Sequence, residues 1–506
     1  MAKASIIAKN IVAKQPGGFA LEAISFALNK NENLAITGAS GSGKTTLAQA
    51  LCGKLFITGV LEINYQENTE LLSKAVLIAQ RYIFKNRSNT VDGYYQQRYN
   101  STENEDAYTV VEELKTILDN EEKIDFLLNE LSILYLKEKP ILQLSSGEHK
   151  RFQLIKALLN PTQLMILDEP FIGLDVESRK KLNDILSDVS TKGTQLIIIA
   201  GAHHHFPNCV THVLELENGK QRTFTERENF EVKHRHQTHH FDSSKLPLKE
   251  NDFNFSFAIK MINTSVKYGD RTILNKINWA VKKGERWLLK GHNGAGKSTL
   301  LSLAYGDNPQ AYANEIYLFD RRRGTGESIW DIKKNIGFMS PELHAFFDKN
   351  ISCFEAVASG YFDTMGLYKK LQELQIQNID NWLKALDLED LRNTRLSSIS
   401  SGKQRLILLI RALIKNPPLL VLDEPCQGLD EFQTEAFIKL VDDICEKNNT
   451  TLIYISHYDN EVPNCITKIL MLENGVGESL LIRKVQSVTI VNYKKPSAPN
   501  KILNNN

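Results

Sequence analysis

Cysteine is scarce and scattered: six residues, at 52, 209, 353, 426, 445 and 465, with no CxxC pair. That pattern argues against a disulfide framework and fits reduced, mostly buried thiols in a cytosolic protein. Long hydrophobic runs are missing too. No stretch approaches the roughly 18 uncharged apolar residues that cross a bilayer, and the opening MAKASIIAKNIVAKQPGG has no apolar core long enough for a signal peptide. Any membrane process served by this chain would need another subunit to supply the membrane part. An excess of one charge is the third absence. Lys and Arg (61) nearly cancel Asp and Glu (60), so the overall balance lacks the long-range attraction typical of nucleic-acid and anionic-membrane binders, and only a local basic patch could substitute.

What is present is an ordinary globular composition, 42% hydrophobic and 24% charged, spread over a chain too long for one core. Two domains are the simplest count, because the sequence states itself twice. GASGSGKTTL at 38–47 returns as GHNGAGKSTL at 291–300. LSSGEHKRFQLIKALLNPTQLMILDEPFIGLD at 144–175 returns as ISSGKQRLILLIRALIKNPPLLVLDEPCQGLD at 399–430, and LIIIAGAHHHFPNC from 196 returns as LIYISHYDNEVPNC from 452. The offsets are 253, 255 and 256 residues (291 − 38, 399 − 144, 452 − 196), which indicates one duplicated domain.

Each copy opens with short alternating strands, passes through a helical middle and ends in apolar strands bounded by helices. The expected fold is α/β: two tandem domains, each with a parallel core sheet, an antiparallel strand region in front and a helical subdomain. The expected boundaries are 1–220 and 258–490. Between them, 221–257 is polar and without apolar periodicity and reads as a linker, and 491–506 reads as a disordered tail.

In GASGSGKTT the glycines at 38, 41 and 43 let backbone N–H groups turn inward around phosphate oxygens. Lys44 brings a positive charge to the β and γ phosphates and Thr45 offers a hydroxyl to Mg²⁺, with Ser42 and Thr46 completing the loop. An apolar strand precedes the loop and a helix follows, so the anion also meets a helix N-terminus. The second copy repeats this with Gly291, Gly294, Ala295, Gly296, Lys297, Ser298 and Thr299. Nucleotide binding is the expectation, with ATP and Mg²⁺ as the ligands. LMILDEP and LLVLDEP are buried strands ending in paired carboxylates: Asp168 and Asp423 are placed to hold Mg²⁺ together with Thr45 and Ser298, and Glu169 and Glu424 to polarise an attacking water.

The segments LSSGE (144–148) and ISSGK (399–403), each upstream of its LDEP and followed by GLD at 173–175 and 428–430, resemble the signature motif of ATP-binding cassette (ABC) proteins, which are P-loop NTPases. The resemblance covers nearly the whole chain outside linker and tail. It implies two cassettes stacked head to tail, with each ATP held between one phosphate loop and the other cassette's signature. Site one would use Lys44, Thr45, Gln80, Asp168 and Glu169, with Ser400, Ser401 and Gly402 opposite. Site two would use Lys297, Ser298, Asp423, Glu424 and His457, with Ser145, Ser146 and Gly147 opposite. The cassettes would pair within one chain. The segments YYQQRYNS (94–101) and 306–344 further resemble the tandem-cassette ModF family, ATP-binding proteins associated with molybdate transport. That implies ATPase activity in a transport system, a membrane permease subunit as partner, and a cytoplasmic location at the inner face of the membrane.

The halves depart from the family pattern differently. The histidine expected after the last core strand is His457 in the second half, beside Glu424, but Gly201 in the first. His203 reaches that place only if the chain bends at Gly201; otherwise His203, His204 and His205 are solvated loop residues or helix-start residues. The aromatic ring expected to stack on adenine is Tyr268 in the second half and Gln15 in the first, with Phe19 the nearest substitute. The glutamine that ends VLIAQ, Gln80, has no counterpart in IGFMSPEL, where Pro341 occupies the aligned place and Glu342 follows. These differences imply that site two hydrolyses ATP faster. The histidines at 234, 236, 239 and 240 invite a zinc reading, but no cysteine or carboxylate stands at matching spacing, and a solvated segment is the simpler expectation. Two alternatives remain. One is a soluble tandem-cassette factor acting in translation on ribosomes, against which stands the lack of a long charged helical arm between the cassettes. The other is an ATP-gated regulatory module with slow turnover.

Overall fold

A computed structural model describes residues 5–490 except 15–19, 65–72, 79–107, 142–143, 145, 161, 172–173, 175, 202–205, 232–242, 249–252, 270, 349, 474, 482 and 486–487. Gln15, Phe19, Gln80, Ser145, the histidines 203–205 and those of the 232–242 stretch therefore lie outside the described residues, as does the tail from 491.

In the first half, a nine-stranded sheet runs in the order β4-β1-β2-β9-β8-β3-β7-β6-β5. Its strands are β1 Ile6–Lys14, β2 Ala20–Leu28, β3 Leu34–Thr37, β4 Ile57–Ile63, β5 Ser73–Ile78, β6 Thr162–Asp168, β7 Gln195–Ile199, β8 His212–Glu217 and β9 Lys220–Glu226. The strands β5, β6, β7, β3 and β8 pair in parallel. They are short and apolar because both faces are covered. Ala35, Met165, Leu167, Leu196 and Ile198 enter one core cluster while Leu34, Ile36, Leu164, Ile166, Ile197 and Ile199 enter another, the period-two alternation of a doubly covered sheet. In front, β1 pairs antiparallel with β2 and β4.

The second half separates the same two layers. Its core is β15 (Ile336–Met339), β16 (Leu419–Asp423), β17 (Thr451–Ile455), β12 (Arg286–Lys290), β18 (Lys468–Glu473) and β19 (Val476–Leu481), in that order. The front sheet is β11 (Arg271–Lys282), β10 (Phe257–Tyr268), β13 (Glu315–Leu318) and β14 (Arg321–Arg322). One large core cluster, from Leu246 to Leu472, unites them.

The helices that matter for function begin at the C-terminal edges of core strands. They are α1 (Lys44–Leu51) after β3 and α5 (Val176–Thr191) after β6. In the second half they are α6 (Lys297–Tyr305) after β12 and α12 (Glu431–Asn448) after β16. Between them lie α2 (Val110–Lys115), α3 (Glu121–Glu130) and α4 (Ser146–Leu159) in the first half. Their counterparts are α7 (Ile329–Lys333), α8 (Pro341–Phe346), α9 (Cys353–Ala358), α10 (Glu373–Ala385) and α11 (Ser401–Leu413). All six cysteines are free, four of them buried, and no helix among the described residues is long and apolar enough to cross a membrane.

The linker expectation is corrected at its start. Residues 220–226, KQRTFTE, form β9, which pairs antiparallel with β8 along its whole length and touches β2 through Glu22 and Lys220. Its β-branched threonines and Phe224 are strand formers, and Phe224 packs against the core beside Phe26, but its charged termini masked the alternation. At the far end of that stretch, Phe257 already begins β10.

Candidate functional site

Both phosphate loops are strand-loop-helix turns built alike. Strand β3 is fully buried and ends at Thr37; the loop then passes Gly38, where a side chain would collide with the carbonyl of Leu216 at 2.1 Å. It closes at Gly43, whose φ of 105° is open only to glycine at little cost. The second loop matches: a Cβ at Gly291 would lie 2.4 Å from the Leu472 carbonyl oxygen, and Gly296 has φ 101°. Neither α1 nor α6 carries an acidic residue in its first turn, so each N-terminus is left electrically suited to an anion. Lys44 donates from Nζ to the carbonyls of Gly38 (2.7 Å) and Ala39 (2.9 Å). Lys297 does the same with Gly291 (2.7 Å) and His292 (3.0 Å). Burial pulls the Lys44 ammonium below its ordinary value, against the opposing charges of Glu169, Asp168 and Asp430. Within the first loop, Ser42 Oγ is buried without a partner among the described residues, as expected of a group shaped for a ligand.

At the end of β6, Asp168 accepts a 2.9 Å hydrogen bond from Thr45 Oγ1. Burial raises its carboxyl against that bond and against Lys150 and Lys44. Lys150 of α4 donates to the Asp168 carbonyl at 3.2 Å, and burial pushes its ammonium down to about 8. The hydroxyl and carboxylate are hard oxygen donors of the kind Mg²⁺ takes together with phosphate. Among the described residues no three of His, Cys, Asp and Glu come together as a ready metal site.

The next residue in each half holds a rare backbone. Glu169 has φ 49° and Glu424 φ 42°, a left-handed conformation that costs a non-glycine residue roughly 1–2 kcal/mol. It persists because each amide is tied to the neighbouring strand, Glu169 to Ile199 and Glu424 to Ile455, both at 3.0 Å. The two carboxyls nevertheless differ. Burial pushes Glu169 up to about 7, with Lys44 opposing and Asp168 assisting. Glu424 is equally buried, but His457 Nε2 lies 3.1 Å from its Oε1; that bond and charge, backed by Lys297 and Arg405, hold it below the ordinary carboxylate value.

The first phosphate loop meets the second signature directly. Ser40 donates its amide to Asp430 Oδ2 (3.1 Å), and its hydroxyl lies 2.8 Å from Ser401 Oγ, which in turn donates to the Gly428 carbonyl at 3.2 Å. A Cβ at Gly41 would stand 3.5 Å from that of Ser400, and one at Gly402 would strike Gln433 at 2.6 Å. On the other side, Gly294 approaches Tyr135, whose hydroxyl is 2.8 Å from the position of a Cβ at that glycine and donates to Glu148 at 2.9 Å. Glu148 lies one residue after Gly147 in α4. Between the halves sits a cavity of ≈ 40 Å³ lined by Glu169, Gly201, Glu424, His457, Tyr458 and Glu461 among others. Both strand-end glutamates therefore face one space.

Tyr268 is 52% exposed at the end of β10, and its hydroxyl accepts from Asn308 Nδ2 at 3.0 Å. Pro341, where the first half has Gln80, opens helix α8 behind a Ser340 cap. From that helix the buried His344 hydrogen-bonds Gln404 of α11 at 2.6 Å. Asp430, Tyr135, Arg179 and Tyr458 were not singled out by sequence. Only Asp430 left a signal, as the aspartate of GLD.

A sequence model described as ABC transporter matches residues 21–172 and 274–427. The chain is 33% identical over 465 residues to the ABC transporter ATP-binding protein ModF of Escherichia coli, covering 88% of this chain and 92% of that one. It is likewise 33% identical over 461 residues to an uncharacterised ABC transporter ATP-binding protein of Schizosaccharomyces pombe, covering 89% and 94%. By fold it resembles a chain from a model of ribosome-bound archaeal Pelota and ABCE1, with a TM-score of 0.58 at 18% identity, covering 96% of this chain and 84% of that one. It also resembles a chain from the complex of the archaeal stalk protein aP1 with the ribosome recycling factor aABCE1, with a TM-score of 0.50 at 17% identity, covering 97% and 96%.

Proposed function

Because the chain belongs to the ABC transporter family of ATP-binding proteins, we propose that it is an ATPase that binds two ATP molecules between its own two cassettes and hydrolyses them to ADP and phosphate. The observation that carries this is the contact of Ser40 with Ser401 and Asp430, which sets the first phosphate loop against the second signature. In this reading Lys44 and Lys297 release their loop carbonyls to meet the β and γ phosphates. Ser401 and Gly402 at the head of α11, and Ser146 and Gly147 at the head of α4, close over them. Thr45 with Asp168, and Ser298 with Asp423, would hold Mg²⁺. When bound, the ion neutralises charge developing on the phosphates. Glu424 accepts a proton from the attacking water, while His457 keeps that carboxylate ionised and oriented.

The transport role rests on the likeness to ModF, and molybdate is the first substrate to test. A permease subunit in the membrane is the proposed partner. Purified chain should bind two ATP per molecule and release phosphate, and the double substitution Glu169→Gln with Glu424→Gln should abolish release while binding persists. Full turnover in the double variant would refute the reading. Affinity capture from solubilised membranes should return a permease. Recovery of ribosomal proteins instead would favour a role in translation, a class to which two proteins of similar fold are tied by their names.

A further inference from the structure

The residue after His457 is gripped from the opposite cassette. The guanidinium of Arg179, on α5 of the first half, lies 3.9 Å from the ring centroid of Tyr458 in the second. Its Nε and Nη2 are sealed from solvent and have no hydrogen-bond acceptor among the described residues, so the ring face is the partner its geometry selects. Within its own cassette the turn carrying His457 is fastened at Ser456. Ser456 Oγ accepts from the Tyr458 amide at 3.1 Å and donates to Glu461 at 2.7 Å, and the Arg179 charge also acts on Glu461.

The duplication supplies a control. At the offset of 255, Arg179 aligns with Thr434, and at the offset of 256, Tyr458 aligns with Ala202, just as His457 aligns with Gly201. The Arg–Tyr pair thus exists on the one side that also keeps the histidine.

We propose that Arg179 is a positioning residue for hydrolysis at site two: it fixes the His457 turn through Tyr458 and so makes turnover there depend on closure of the first cassette. This rests on the reading that Glu424 and His457 act on ATP at that site. Tyr458 lines the cavity with Glu424 and His457, so the pair should affect the chemical step more than ATP capture.

The test is steady-state kinetics of the intact chain for Arg179→Gln, Tyr458→Leu, their combination, and Tyr458→Phe, beside Glu424→Gln. From the usual worth of a cation–π contact, Arg179→Gln and Tyr458→Leu should each lower kcat by roughly threefold to thirtyfold with KM shifted by less than about twofold. The double variant should fall no further than the worse single one. Tyr458→Phe, which keeps the ring face, should retain most of the rate and so exclude a mere loss of fold. An unaltered kcat in Arg179→Gln, or losses that multiply in the double variant, would overturn the proposal. If Glu424→Gln turned over normally, the reading of site two would fall first and this inference with it. If Glu424→Gln were inactive while Arg179→Gln was normal, the inference alone would fail.

Discussion

At the scale of single residues, the two halves share a backbone and differ in charge environment. Glu169 and Glu424 occupy the same left-handed turn, each tied to the adjacent strand, yet among the described residues only Glu424 has an imidazole within hydrogen-bond reach. A carboxylate must be ionised to accept a proton. Glu169, raised to about 7 by burial, is half protonated near neutrality, whereas Glu424 is held below the ordinary value and stays ionised. In a Glu424→Gln background, the residual phosphate release by site one should therefore climb as pH rises through about 7, losing activity on the acid side. In a Glu169→Gln background no such climb should appear. Matching pH profiles of the two variants would contradict this assignment. The left-handed turn yields a second expectation at this scale. Glu169→Gly should remove the strain and a buried carboxyl, raising unfolding stability by about 1 kcal/mol while removing site-one chemistry. Denaturant unfolding of the intact chain would read it, and a loss of stability would argue against strain at this turn.

At the scale of elements, one aspartate does two jobs. Asp430 caps α12 by accepting from the Gln433 amide at 2.9 Å through Oδ1, while Oδ2 accepts from Ser40 of the other cassette. Asp430→Ala should cost about 1 kcal/mol from the lost cap and should also weaken ATP-driven closure. Asp430→Asn, which keeps an acceptor for the cap, should recover most of the stability. Thermal unfolding separates the two, and equal melting of Asp430→Ala and the parent would remove the cap from the account. Elements also mark what the sequence made readable. The phosphate loops, the LDEP strands and the duplication were legible because they are local patterns with fixed spacing. Strand β9 was not, because Phe224 is its one apolar residue and carries no hydrophobic period; the sheet, through β8, decides its state. Arg179 and Tyr458 meet across the cassette interface from distant parts of the chain, and no local pattern encodes such a contact. Their only trace was negative: Thr434 and Ala202 at the aligned places.

At the scale of the whole molecule, the proposed function makes each site depend on both cassettes, and the contacts at the two phosphate loops differ. The first phosphate loop meets serine hydroxyls and an aspartate. The second approaches Tyr135, whose partner Glu148 stands where the other signature has Lys403. In the proposed reading His457, Tyr458 and Tyr268 serve site two, while the position aligned with His457 in the first half is Gly201. On the proposed reading the chain is a pseudo-symmetric dimer in which site two is the better equipped for hydrolysis. The most direct measurement is the steady-state ATPase rate of Glu424→Gln against that of Glu169→Gln in otherwise intact chain. Glu424→Gln should lose on the order of a hundredfold, the usual worth of a general base, while Glu169→Gln should keep most of the parent rate. Equal losses, or the larger loss in Glu169→Gln, would contradict it.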